Sequence, residues 1–154
     1  MRISALLLLL SWLAVADAAV QPPQMEELAQ ARAKWKSQHI ENYAFMISNT
    51  CSCPLLQAGP LVIVVEDGKL RRTFYAGGPR DGFVKGQSIR RRSPLRVTVD
   101  GLFEVIEKRL KISSPAQVKI KYDDKLGYPA LFEYVDSSLK DGHAKIELKN
   151  FKRL

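Results

Sequence analysis

Cys51 and Cys53 are the only cysteines in the 154-residue sequence, separated by Ser52 and followed by Pro54. Several chemistries are open to such a pair. One is a local disulfide. Another is a free or reversibly oxidised thiol pair. A third is a soft-metal site, since two thiolates on one face suit Cu(I) or Zn. A bridge between two copies is the fourth. A local bridge closes a loop of three residues, for which chain entropy gives ~1.6 kcal/mol, half or less of a long-loop bridge. In an extended strand the two Cα atoms stand about 6.5 Å apart, near the upper limit for a disulfide. Pro54 and a bent chain shorten that distance. Such a bridge stiffens a loop rather than stapling a fold.

Further metal ligands are sparse, because His39 and His143 are the only histidines. His39 falls at the edge of the apolar face of the first predicted helix, where a histidine packs or is solvated. His143 opens a strand after a turn and is expected to be exposed. A Cys-His nucleophile pair therefore has no support, and no cofactor is expected.

The second candidate is basic. Arg80, Lys85, Arg90, Arg91, Arg92 and Arg96 stand against the single acid Asp81 within residues 79–96 and supply +5 of the net charge of +8. A clustered charge of this kind suits an acidic protein or a polyanionic surface. No aromatic residues interleave the arginines, which argues against single-stranded nucleic acid. The segment 77–82 lacks the Gly-Lys-Ser/Thr ending of a phosphate-binding loop.

The carboxylates are a third candidate. Asp123, Asp124, Asp136 and Asp141 flank predicted turns. Asp123 and Asp136 lie at opposite ends of a predicted hairpin, roughly 20 Å apart at the rise of a strand. They cannot share an ion or form an acid/base pair. Asp beside a turn bonds the nearby backbone, and that is the role expected here. With no Ser-His-Asp set, ligand cluster or carboxylate pair, the sequence leans away from an enzyme.

The elements that position these residues begin after residue 18. Arg2, an apolar run over Ala5–Val15 and the small-residue site Ala16-Asp17-Ala18 follow the plan of a cleavable signal peptide. The run is too short for a membrane span, so stable membrane insertion is not expected. A periplasmic or secreted location is. Export also makes nucleic acid a poor partner. Residues 19–24 read as a linker and 25–154 as one domain, a length sufficient for an ordinary core.

Met25, Leu28, Ala31 and Trp35 share a helical stripe within Met25–Ile40, with Glu26 and Glu27 in the first turn. Tyr43, Phe45 and Ile47 alternate as in a strand. Leu61–Val65 is a β-branched run expected to be buried on both faces. Asp67-Gly68 is a tight-turn signal leading into a strand over Leu70–Tyr75. Residues 77–96 read as a long loop. Thr98 caps a helix whose Val99, Leu102, Phe103, Ile106 and Leu110 fall in one narrow arc. Strands follow over 118–122, 130–136 and 143–151. The order α-β-β-β-α-β-β-β predicts an α+β fold, an antiparallel sheet of about six strands with both helices on one face. Lys119, Lys121, Lys145 and Lys149 should then project from the other face. The loose likeness of 61–70 to 117–126 suggests a pseudo-repeat.

The ordered landmarks Trp35, Asn42-Tyr43-Ala44-Phe45, Cys51-Ser52-Cys53-Pro54, Val65-Glu66-Asp67-Gly68, Thr98–Phe103, Tyr122-Asp123 and Gly127-Tyr128-Pro129 resemble the bacterial exported family labelled domain of unknown function 6174. The resemblance covers roughly residues 35–150. It implies a fold unit and export, and it carries no activity and no catalytic residues. The expected role is a non-catalytic binding or interaction module using the open sheet face and the basic loop. The alternative is a thiol-redox or soft-metal protein using Cys51 and Cys53.

Overall fold

Two helices and six strands alternate along the chain as α1 (Pro23–Ser37), β1 (Tyr43–Cys51), β2 (Leu61–Glu66), β3 (Lys69–Tyr75), α2 (Val99–Ile112), β4 (Val118–Tyr122), β5 (Pro129–Val135) and β6 (His143–Arg153). They are seen in a computed structural model that describes residues 23–51, 60–77, 86, 88, 95–113, 117–135 and 142–154. The strands form one antiparallel sheet of order β3-β2-β1-β6-β5-β4. The α+β expectation holds element by element.

Helix α1 starts at Pro23, whose fixed φ and missing N–H are tolerated in a first turn. It ends three residues earlier than its apolar spacing suggests. Gln38 N–H and His39 N–H bond back to the carbonyls of Trp35 and Lys36, and His39 turns to a φ of 48°. That reversal takes His39 off the helix altogether. It is exposed in the turn rather than at the edge of an apolar face. The stripe itself is as read, with Leu28, Ala31 and Trp35 buried.

The Asp67-Gly68 turn has positive φ at both positions, 52° and 68°, the conformation whose twist matches a two-residue hairpin. Its amides are held by the α1–β1 connection: Asp67 N–H donates to Asn42 Oδ1 and Gly68 N–H to the Glu41 carbonyl. In β2, Leu61, Ile63 and Val65 are fully buried against the helices, while Val62 and Val64 face the other way. The run is thus buried on its helix face, and on the second face Val64 is buried while Val62 is only partly covered.

Thr98 caps α2, its hydroxyl accepting the Gly101 N–H at 3.0 Å. The predicted arc of Val99, Leu102, Phe103, Ile106 and Leu110 is buried throughout. A second tie is invisible in the sequence. The Tyr43 hydroxyl, on central strand β1, accepts the Val99 N–H at 3.1 Å inside the core. That amide is one of the first-turn donors that a helix cannot satisfy itself. Around Tyr43 the rings of Trp35 and Phe151 pack at 5.4 Å each, edge-on and stacked respectively, and Tyr128 stacks on Phe151 at 4.9 Å. Both helices are thereby fixed to one face. They also meet each other, through Arg32–Glu107 at 2.9 Å and the Arg32 guanidinium over Phe103.

The two α-β-β-β halves do not repeat one another in space. A half-turn about the sheet normal would place β4, not β6, beside β1. The central pair is β1 with β6, so no rotation that keeps both helices on one face superposes the halves.

Two stability predictions follow from these contacts. Tyr43→Phe leaves the Val99 amide buried without an acceptor and should cost ~1–3 kcal/mol, read as a lower urea midpoint at unchanged slope. Gly68 and Gly127 both have positive φ, 68° and 82°, but a methyl on Gly68 meets nothing whereas one on Gly127 lies 2.7 Å from the Ala31 carbonyl of α1. Gly68→Ala should therefore cost only the ~1–2 kcal/mol of a left-handed alanine. Gly127→Ala should cost clearly more; equal losses would show that the approach to α1 is unimportant.

Candidate functional site

With the helices on one side, the other side of the sheet carries the alternate residues of every strand. Among the described residues no helix or strand packs on it. Cross-strand pairing defines its rows. Lys119, Glu133, Lys145 and Thr50 form one; Lys121, Leu131, Glu147 and Ser48 form the next. Lys149, Met46, Val62 and Phe74 form a third, and Lys152, Ala44, Val64 and Arg72 a fourth. Glu66 and Lys69 close the face at the β2–β3 turn. The four lysines expected on this face, Lys119, Lys121, Lys145 and Lys149, are all placed there by the register. Lys152 joins them through a β6 bulge, where Asn150 adopts a φ of 55° and shifts the alternation by one residue.

Seven cations and three carboxylates occupy this face, a net of +4. The two helices together carry six cations and five carboxylates, a net of +1. The acids on the open face are all engaged. Glu147 bonds Lys145 at 3.0 Å and Lys149 at 3.3 Å, Glu66 bonds Arg72 at 3.1 Å, and Glu133 meets His143 Nε2 at 2.8 Å. The hydrogen bond from Lys145 is the largest influence holding the Glu147 carboxyl below the usual glutamate range. His143 does the same for Glu133. No salt bridge within the described residues involves Lys69, Lys119, Lys121 or Lys152.

The other candidates fare differently. Cys51 closes β1 opposite Ala144. Its side chain and the whole of Cys53 lie outside the described residues, as do Arg80, Lys85, Arg90, Arg91, Arg92, Asp136 and Asp141. Arg96 is described, and its Nε donates to Thr73 Oγ1 at 3.3 Å. Thr73 is the one buried polar residue in the core among those described, so Arg96 anchors the approach to α2. Asp123 has the expected turn role. Its Oδ1 accepts the Lys125 and Leu126 amides at 3.0 and 2.7 Å. His143 is half exposed, as expected, and its ring bonds Glu133. Among the described residues, no three His, Cys, Asp or Glu side chains gather as a metal site. No described helix is long and apolar enough to cross a membrane.

One cleft of about 300 Å³ lies between α1 and the β4–β5 turn, lined by Glu27, Gln30, Lys34, Tyr122, Asp123 and Asp124 among others. Its polar groups are largely spent on the fold: Lys34 Nζ donates to the Asp124 carbonyl, and Asp123 holds its own turn. Beside it, the Tyr122 hydroxyl and Arg32 Nη2 are buried without a hydrogen-bond partner. Burial, reinforced by Glu27, pushes the Tyr122 hydroxyl well above the usual phenol range. The open sheet face is the stronger candidate.

The depressed Glu147 carboxyl makes the pairing on this face measurable. A carboxylate stabilised by folding contributes above the ordinary glutamate value of 4.5, and that contribution fades as pH falls through the lower folded value. Side-chain carboxyl NMR should show Glu147 titrating below 4.5, and Lys145→Ala should move it upward. No movement would mean that the Lys145 contact is not held in solution.

A family model described as a family of unknown function, DUF6174, matches residues 27–153. Neither a curated protein nor a solved structure gives a significant match. The matched span runs from the second turn of α1 to the end of β6 and so takes in both helices, the whole sheet and its open face. The chain thus belongs to the DUF6174 family.

Proposed function

We propose that this protein is a non-catalytic binding module, acting outside the cytoplasm, that receives an anionic partner on its open sheet face. The observation that carries this reading is the segregation of charge. Among the described residues the open face holds +4 from ten charged side chains, while the two helices hold +1 from eleven. Fields of one sign concentrated on one surface raise the local concentration of an oppositely charged partner and speed its arrival. The lysines stand on a rigid scaffold, because register fixes each side chain to one face. Glu147 holds Lys145 and Lys149 in place without cancelling the net field. The basic residues from Arg80 to Arg92 would add to it.

The test is binding of a fluorescent polyglutamate to the mature chain at low salt. Lys119→Glu with Lys121→Glu should weaken it about tenfold and steepen no other property, since both side chains are exposed. Glu147→Gln removes an acid from the face and should tighten it. Circular dichroism confirms that each variant keeps the fold. Unchanged affinity in both variants would sink the reading.

A further inference from the structure

The open face is not uniformly basic, and its division narrows the partner. The middle of β1, β2 and β3 carries an apolar patch: Met46, Val62 and Phe74 pair directly across the strands, and Ala44 pairs with Val64 in the adjacent row. Val64 is 8 % exposed and the other three large side chains are partly exposed. Cations border this patch on both sides. Lys149 and Lys152 flank it from β6, opposite Met46 and Ala44. Arg72 flanks it from β3, opposite Val64, its guanidinium bonded to Glu66 and lying 6.0 Å from the centre of the Phe74 ring, as Lys149 is bonded to Glu147 on the other side.

From this division we infer that the occupant of the open face is an amphipathic helix of a partner protein, with an apolar stripe and acidic shoulders. The inference rests on the anionic-partner reading above. Three strands span about 10 Å across the patch, close to the ~10–12 Å diameter of a helix with its side chains. A helix laid there covers Met46, Val62 and Phe74 with its apolar stripe and brings carboxylates on its two flanks to Lys149 and Lys152 on one side and Arg72 on the other. This is the helix-on-apolar-surface mode of recognition, with charge setting the orientation.

The composition of the face disfavours other occupants. A second copy would bring a +4 face against a +4 face. A bare polyanion would leave the apolar patch wet and meet the Glu147 carboxylate between Lys145 and Lys149. Strand addition at β3 is obstructed, since Phe74 already bridges to Ser88 there.

The experiment uses the full mature chain and four probes. They are a synthetic helix of about 18 residues with leucines at helical spacing flanked by glutamates, a scrambled peptide of the same composition, a heparin fragment and phosphatidylglycerol vesicles. Fluorescence anisotropy reads the peptides, and competition or co-sedimentation reads the others. The ordered peptide should bind about tenfold tighter than the scrambled one, a difference of about 1.4 kcal/mol. Met46→Gln with Val62→Thr should erase that difference while leaving heparin binding unchanged, and an unaltered urea midpoint shows that the fold is kept. Lys149→Glu with Lys152→Glu should weaken both peptides. Equal binding of ordered and scrambled peptides, or binding to heparin or vesicles alone, overturns the helix inference and leaves the anionic-partner reading standing. Binding to none of the four overturns both.

Discussion

The buried hydrogen bond from the Val99 amide to the Tyr43 hydroxyl joins the first turn of α2 to the central strand of the sheet. Most of the architecture depends on it. Tyr43 is also the ring on which Trp35 of α1 and Phe151 of β6 converge. One side chain therefore fixes both helices and the middle of the sheet together. Burial pushes its hydroxyl up to about 12, so it stays protonated at any ordinary pH. Because this cluster draws both helices to one face, no described helix or strand packs on the other.

What that second face displays follows from pairing rather than from composition. Alternate residues of each strand must appear there, and the register decides which of them become neighbours. Acids and bases fall side by side on β5 and β6, where each glutamate is bound by a neighbour. Apolar residues gather on β1 to β3. Lys119 and Lys121 lie on β4, the edge strand, where charged side chains discourage pairing with another sheet.

Much of the fold could be read from the chain. The narrow arc of Val99 to Leu110 and the Thr98 cap define α2 because period and cap agree. Asp67-Gly68 defines a hairpin because few other dipeptides tolerate two positive φ angles. The alternation in 118–122 correctly sends Lys119 and Lys121 to the open face. Other features depend on contacts distant in sequence. The apolar spacing of α1 carries past its true end, since His39 reverses the chain by a backbone turn that spacing does not encode. Leu61–Val65 reads as buried on both faces, and only Val62 departs from this, because among the described residues no helix or strand covers the second face. Lys152 was hidden by the β6 bulge at Asn150, which changes the phase of alternation. Met46 and Val62 became parts of a site only when the register aligned them with Phe74. The glycine at 127 could be read as a turn residue, but not as the point where a turn meets the Ala31 carbonyl.

The β1–β6 pair has a consequence for how the molecule comes into being. It joins the first strand of the chain to the last, and the widest stretch of pairing in the sheet lies between them. A chain made as far as β3 has β1 as a bare edge. Trp35 then lacks Phe151 and Tyr128, and α1 has no β4–β5 turn to lie against. Pairing of β1 is thus complete only once β6 is in place, so the centre of the sheet is built from the strands that lie farthest apart in sequence.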